Sequence, residues 1–216
     1  MTLQVQLYWS FRSPYSYLAT PRIRELARRY DLEIQFKPVL PIAVRNPGFF
    51  ETVNPSWVSY LIKDVARLAE YHGVAYRWPR PDPIVMDVKT RRIASEQPYI
   101  HRLTRLGAAA AETGYGIEFM CEVAQVIWGG TVDNWHEGQH LQHAAERAGC
   151  DWATLVAKAD NEADRLDQVL DQNSMDLEAA GHWGVPTVVF NGEPFFGQDR
   201  LDMLLWRLKR KGLQRR

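Results

Sequence analysis

A strand-to-helix junction at residues 13–16 constrains the fold of this chain more than any other feature. Residues 3–9 alternate apolar and polar side chains, the pattern of a half-buried strand. From Pro14 to Tyr30, apolar residues recur at helical spacing instead. Ser13 is a residue type favoured at the helix N-cap, and the proline after it is favoured at the first helical position. The Ser13 hydroxyl is therefore predicted to lie at the positive end of a helix dipole, where an anion is stabilised.

Composition bounds the class of protein. At 216 residues with 46% apolar side chains, the chain is long enough for one large domain or a domain carrying an insertion. Its 26 Lys and Arg residues balance 26 Asp and Glu residues, so no global charge attracts it to nucleic acid or to membranes. No stretch approaches the ~20 apolar residues of a membrane span, and the first residues do not resemble a signal peptide. We therefore expect a cytoplasmic protein without nucleic-acid or membrane partners.

The two cysteines, Cys121 and Cys150, form no Cys-x-x-Cys motif and lie far from Ser13 in the sequence. Dithiol redox chemistry on the protein's own side chains is therefore not expected. A sulfur atom that takes part in a reaction would have to arrive on a ligand.

The order of the remaining predicted elements indicates the fold class. They are a strand at 32–36, a helix over 56–73, helical pieces across 88–180, strands at 185–190 and 193–196 joined by Asn191-Gly192, and a final helix after residue 200. Residues 41–56 are predicted to be irregular, with Phe49 and Phe50 exposed. Strand-helix-strand, a long helical block and then hairpin-helix indicates an α/β thioredoxin fold split by an insertion.

Motifs at both ends of the chain resemble one branch of that fold. Thioredoxin-like disulfide oxidoreductases carry Cys-x-x-Cys at such a junction, and here Ser13 and Ser16 stand at the two cysteine positions. Three motifs are similar to signatures of 2-hydroxychromene-2-carboxylate isomerases and kappa-class glutathione transferases: Ser-Pro-Tyr-Ser-Tyr-Leu-Ala from Ser13, Gly-Val-Pro-Thr at 184–187 and Phe-Gly-Gln-Asp-Arg-Leu at 196–201.

The resemblance implies a fold, an activity and a cofactor. The fold would be α/β, thioredoxin-like of the DsbA/kappa type, with residues 1–40 and 181–216 forming the thioredoxin-like domain and residues 41–180 an all-helical insertion. The activity would be glutathione-dependent cis–trans isomerisation of an aromatic keto or hydroxy acid by a homodimer. Two alternatives remain open: a kappa-like glutathione transferase or peroxidase, and a redox-inactive thioredoxin-like module that binds peptides.

The resemblance also implies the residues that bind glutathione. Pro186 is expected to follow a cis peptide bond, which leaves the backbone of Val185 free to pair with an extended ligand. Ser13 would hold the glutathione sulfur at the helix N-terminus and lower the pKa of the thiol. Asp199 and Arg200 would contact the γ-glutamyl end. For Asp199, an acid at a helix N-terminus is the alternative interpretation.

Substrate-binding residues are implied for the loop after the second strand. The family's basic residue there has an approximate match in Arg45, and its asparagine could be Asn46 or Asn54. Arg12 stands where the family usually has an apolar residue, and it could favour the thiolate or extend into solvent.

A competing motif lies in the predicted helical block. His136, Glu137 and His140 form a literal His-Glu-x-x-His, with His143 one turn further on. On a continuous helix the first two histidines of this run could share a metal ion, with Glu137 as general base. Gly138 sits inside the required helix, however, and no apolar run precedes the first histidine. We therefore predict an ordinary solvated helix face and no metal site.

Overall fold

The computed structural model describes residues 2–87 and 89–216. Its elements in chain order are β1 (Leu3–Trp9), α1 (Pro14–Arg29), β2 (Leu32–Pro38), α2 (Ile42–Arg45), α3 (Phe49–Thr52), α4 (Pro55–His72), α5 (Ile100–Glu112), α6 (Gly116–Trp128), α7 (His140–Arg147), α8 (Trp152–Asn161), α9 (Ala163–Ala179), β3 (Thr187–Phe190), β4 (Glu193–Phe196) and α10 (Leu201–Arg210), with a 3₁₀ turn at Gln198–Arg200. No helix in these two ranges is long and apolar enough to cross a membrane.

The four strands form one mixed sheet in the order β2-β1-β3-β4. β1 and β2 are parallel and are joined by the crossover helix α1, because parallel neighbours cannot be joined by a tight turn. β3 runs antiparallel to β1, with Thr187 opposite Tyr8 near the end of β1. The residues just before Thr187 therefore lie beside the loop that leaves β1, which brings the segment ending at Pro186 next to Ser13.

Helices α5 and α6 pack against the loop that leaves β1. Trp9 and Phe11 are fully buried and their rings meet edge to face at 4.8 Å. Trp128, at the end of α6, is also fully buried, and its indole N–H donates to the carbonyl oxygen of Phe11 at 2.9 Å. Gly107 in α5 approaches so closely that a Cβ there would lie 2.7 Å from the Phe11 ring. One core therefore serves both the sheet and the helices.

The prediction of helical structure across residues 88–180 is wrong in two segments. Residue 88, the first of that range, lies outside the described residues. Residues 89–99 are irregular, because Asp87 accepts the amide protons of Lys89 and Thr90 and so closes a turn. Residues 129–139 are also irregular, and within them Asn134 adopts a positive φ of 52°.

This second irregular segment contains the His-Glu-x-x-His motif. Helix α7 begins only at His140, and Gly138 before it has a positive φ of 58°. His136 therefore lies outside the helix, and the predicted helix face is wrong for that residue. The motif requires its two histidines at positions i and i+4 of one helix, and His136 and His140 do not share a helix here.

An ion-pair cluster in the helical block predicts acid-sensitive stability. Glu112 accepts from Arg165 at 2.7 and 2.9 Å and lies 2.6 Å from the Lys158 ammonium, and these cations hold the pKa of Glu112 at about 2, below its ordinary 4.5. A lowered folded-state pKa contributes stability above pH 4.5 that is lost as the pH falls toward 2. We expect Glu112→Gln to lower the free energy of unfolding by about 1 kcal/mol at neutral pH, since the pair is partly exposed. In urea titrations this difference should shrink below pH 4.5; a difference independent of pH would contradict the assignment.

Candidate active site

Ser13 caps helix α1 as predicted. Its hydroxyl oxygen accepts the amide proton of Ser16 at 3.2 Å, and the hydroxyl donates to the carbonyl oxygen of Val185 at 3.3 Å. The first bond belongs to the helix cap, whereas the second is long for an O–H donor and joins two loops. The hydroxyl proton therefore points toward the loop before β3 through a weak contact that a better acceptor would replace.

That loop contains the predicted cis bond, between Val185 and Pro186. The Pro186 carbonyl oxygen accepts from the Gly197 amide at 2.8 Å, which ties the loop to the end of β4. The Val185 amide donates to no acceptor within residues 2–87 and 89–216. An unpaired backbone amide of this kind is what an added extended peptide would need.

A groove of about 340 Å³ runs along this backbone edge, and its lining includes Tyr15, Asp64, Val185, Pro186 and Asp199. Asp199 is exposed and pairs with the neighbouring guanidinium of Arg200 at 2.6 Å. Arg200 does not line the groove. Of the two residues predicted to contact the γ-glutamyl end, only Asp199 therefore lies on the groove wall in this conformation.

A second cavity, of about 400 Å³, has Ser13 in its lining and shares Tyr15, Val185 and Phe196 with the groove. Phe49, Phe50, Trp57 and Trp183 supply aromatic walls. The expectation that Phe50 is exposed is wrong, since it is only 6% exposed, and Phe49 is half-buried. Their rings meet edge to face at 5.3 Å, and Phe49 also meets Trp57 at 5.9 Å, so the pair packs into the wall.

Arg45 lines this cavity in a fixed position. Its Nε and Nη2 donate to the carbonyl oxygens of Leu40 and Trp183, both at 2.8 Å, and burial lowers the pKa of Arg45. The remaining nitrogen, Nη1, lies 4.0 Å from the exposed Glu178 carboxylate. A buried guanidinium held by neutral carbonyl groups keeps its positive charge available to an anionic ligand.

The two candidate asparagines lie elsewhere. Asn46 is exposed at the end of α2, and Asn54 caps α4 by accepting the Ser56 amide proton at 3.0 Å. Neither lines the aromatic cavity. Their assignment to substrate binding stays a prediction from the family resemblance.

Arg12 does not extend into solvent. Its side chain is 10% exposed and makes a two-point ion pair with Asp82, with nitrogen–oxygen distances of 3.2 and 3.0 Å. The guanidinium also lies 5.1 Å from the ring centre of Trp78 and 5.5 Å from that of Phe50. Arg12 thus lines the aromatic cavity with its charge already paired.

Tyr15 lines both the groove and the cavity and was not among the predicted site residues. Its hydroxyl donates to Asp64 at 2.9 Å, and burial followed by this carboxylate raises the pKa of Tyr15. The phenol therefore stays protonated at neutral pH. The position of Tyr15 within the Ser-Pro-Tyr-Ser motif could have indicated that it belongs to the site. No pattern in the sequence indicated its partner Asp64, which lies 49 residues away.

The cysteines stand apart from this site. Both Cys121 and Cys150 are buried free thiols, neither lines the groove or the cavity, and burial raises the pKa of Cys121 to about 12. Within the described ranges, no group of three or more His, Cys, Asp or Glu side chains is arranged to hold a metal ion. Ser13 places a hydroxyl at the N-terminus of α1 and in the wall of the aromatic cavity.

Comparison with known proteins identifies relatives across the whole fold. The family model of the DSBA-like thioredoxin domain matches residues 4–209. The 2-hydroxychromene-2-carboxylate isomerases of Pseudomonas putida and Sphingobium xenophagum are 28% and 26% identical over 93% and 94% of this chain, and 91% and 97% of theirs. A solved 2-hydroxychromene-2-carboxylate isomerase superposes with a TM-score of 0.72 at 20% identity, covering 96% of this chain and 95% of that one. The predicted fold and the family resemblance are confirmed.

Proposed function

We propose that this chain, which belongs to the DSBA-like thioredoxin domain family, is a glutathione-dependent cis–trans isomerase of an aromatic keto or hydroxy acid. Its relatives named 2-hydroxychromene-2-carboxylate isomerase support the reaction class. The observation that carries the proposal is that the groove and the aromatic cavity share wall residues and that the Ser13 hydroxyl contacts one of them. The groove and the aromatic cavity share Tyr15, Val185 and Phe196. Ser13 lines the cavity, and its hydroxyl donates to the carbonyl oxygen of Val185, a residue of both spaces.

The residues of the groove fit a glutathione-like tripeptide. The unused Val185 amide offers main-chain pairing, and Asp199 offers a carboxylate to an ammonium group. When bound, glutathione would supply a thiolate nucleophile for a conjugated carbon–carbon double bond, which has to become a rotatable single bond during isomerisation. The chain supplies no nucleophilic sulfur of its own at this position.

Ser13 would act by stabilising negative charge. Its hydroxyl can turn from the weak Val185 contact toward a sulfur anion, and the N-terminus of α1 adds the positive end of its dipole. Both effects lower the pKa of a thiol held there. The aromatic walls would bury the substrate ring, and Arg45 would pair with its carboxylate.

Glutathione binding is the first test of this proposal. Calorimetric titration should give a dissociation constant in the micromolar to low millimolar range, because a charged tripeptide has few anchors in such a groove. Asp199→Asn should weaken binding by about tenfold through loss of a charge-assisted hydrogen bond. Asp202→Asn is the matched control, since Asp202 is exposed and does not line the groove. The affinity of this variant for glutathione should equal that of the unaltered protein.

The outcomes separate the candidate functions. Binding followed by spectrophotometric isomerisation of 2-hydroxychromene-2-carboxylate supports the proposal. Absence of both heat and chemical-shift changes at about 10 mM glutathione would remove it, since a dissociation constant in the low millimolar range gives extensive binding at that concentration. Conjugation of glutathione to an electrophile without isomerisation would instead indicate a transferase.

A further inference from the structure

His182 lies in the loop before β3, and its ring contacts a residue that both the groove and the aromatic cavity share. The imidazole is stacked on Phe196, with 3.9 Å between the ring centres and 21° between the ring planes. Phe196 lines the groove and the cavity, whereas His182 lines neither. His182 can therefore affect the site only through the residues that it contacts.

The same imidazole fixes the backbone of Gly184. The Gly184 amide donates to His182 Nδ1 at 2.8 Å, and in the described part of the chain it has no other acceptor. Gly184 is buried, and a Cβ there would lie 2.6 Å from the Phe196 ring and 3.0 Å from Cε1 of His182. The glycine backbone is thus packed against both stacked rings. Because Val185 is the next residue, these contacts set the course of the backbone that offers an unpaired amide to the groove.

Only the neutral imidazole can accept this hydrogen bond. A protonated imidazole carries a proton on each nitrogen, so Nδ1 would face the Gly184 amide without a lone pair. Burial lowers the pKa of His182 below its ordinary 6.5. The accepted hydrogen bond favours the neutral ring in the same way, whereas the face of Phe196 attracts a protonated ring. The hydrogen bond is therefore present above pH 6.5 and is lost as the pH falls through the lowered pKa.

The charged side chains of the neighbouring elements are engaged elsewhere. Arg45 of α2 is held by two backbone carbonyl groups and lies 4.0 Å from Glu178 of α9. Asp199 and Arg200, which follow β4, pair with each other. Among the described residues, no ion pair involves His182. Protonation of the imidazole is therefore not offset by a carboxylate already bound to it.

We propose that neutral His182 is a positioning residue, which holds the Val185 backbone in the form that pairs with an extended thiol peptide in the groove. It acts through the Gly184 amide and the Phe196 ring. Protonation of His182 releases the amide and weakens ligand binding as the pH falls. The inference rests on the proposed function in taking the groove as the glutathione site. It adds a residue outside that site which makes binding depend on pH.

The test compares the affinity for S-methylglutathione at pH 7.5 and pH 5.0 by calorimetric titration. This probe has no titratable thiol, so its sulfur contributes no pH dependence. The unaltered protein should bind it about 4- to 10-fold more weakly at pH 5.0. The reason is that binding which requires a neutral group weakens by at most about tenfold per pH unit below the pKa of that group.

Two variants separate the hydrogen bond from the stacked ring. His182→Asn does not titrate, and its side-chain oxygen can accept the amide two residues further on, as in an Asx turn. It should bind the probe within about twofold of the unaltered protein at pH 7.5 and keep that affinity at pH 5.0. His182→Phe keeps a ring for stacking but has no acceptor. It should bind about 4- to 10-fold more weakly than the unaltered protein at pH 7.5, with no further loss at pH 5.0.

His143→Asn is the matched control, because His143 is exposed and lines neither the groove nor the cavity. It should keep the full pH dependence. The groove carboxylates Asp64 and Asp199 are common to all four proteins, so their titration cannot account for a difference between them.

Nuclear magnetic resonance tests the positioning without a ligand. In ¹⁵N-labelled protein the amide signals of Gly184 and Val185 should shift with the protonation of His182, and these shifts should vanish in His182→Asn. The inference is overturned if the amide signals do not follow the imidazole, or if His182→Asn loses affinity at pH 5.0 as the unaltered protein does. Absence of binding by both S-methylglutathione and glutathione at pH 7.5 would remove the proposed function, while the amide signals would still decide the role of His182. The two failures are therefore distinguishable.

Discussion

On the proposed function, replacing Ser13 with alanine is expected to lower the isomerisation rate by about 10- to 100-fold, the equivalent of one hydrogen bond to a charged group. The same change should raise the pKa of the bound thiol by about one to two units, since the thiolate loses its hydroxyl donor. Ultraviolet thiolate absorbance across a pH titration measures this pKa. The expected loss of rate is therefore greatest at pH values between the two thiol pKa values, where the thiol is protonated in the variant and ionised in the unaltered protein.

Ser13→Gly separates this role from helix capping. Loss of the cap costs about 1 kcal/mol in the alanine variant but only a few tenths in the glycine variant. Both variants remove the hydroxyl, so a thiolate role predicts similar losses of rate with unequal losses of stability. If the glycine variant keeps a near-normal rate and thiol pKa, the hydroxyl only caps the helix.

Replacing Trp128 with alanine is expected to destabilise the protein by about 3–5 kcal/mol, the range for a deleted core aromatic. The side chain is fully buried, stacks near Tyr17 at 6.2 Å between ring centres, and donates to the Phe11 carbonyl oxygen. Urea unfolding followed by circular dichroism measures the change. Because Phe11 lies two residues before Ser13, loss of this anchor should also loosen the loop that leads to the site.

Two further variants isolate the causes. Trp128→Phe keeps most of the ring but leaves the buried carbonyl group unpaired, so it should cost about 1–3 kcal/mol. Trp206→Ala is the surface control, since Trp206 is 49% exposed, and it should cost less than about 1 kcal/mol. Similar losses of stability for Trp128→Ala and Trp206→Ala would contradict the assignment of Trp128 as a stabilising core side chain.

Sequence alone determined the parts of this protein that depend on near neighbours. The strand over residues 3–9, the cap at Ser13 and the Asn191-Gly192 turn each depend on a few residues, and each forms as predicted. The strand is more buried than its alternation indicated, because residues 7–9 are all buried. Motifs at both ends then indicated the family. The long helical block was less accurate, because residues 89–99 and 129–139 follow turn contacts rather than the helical periodicity around them.

Only the tertiary structure decided which side chains meet at the site. Arg12 forms an ion pair with Asp82, which is 70 residues away in the sequence. Nothing in the sequence distinguishes that carboxylate from the others. Tyr15 likewise donates a hydrogen bond to Asp64. Phe50, which was predicted to be exposed, is buried in the cavity wall. The physical reason is the separation along the chain over which each interaction acts. Periodicity and capping act within one element, whereas ion pairs and cavity walls depend on which elements the core brings together.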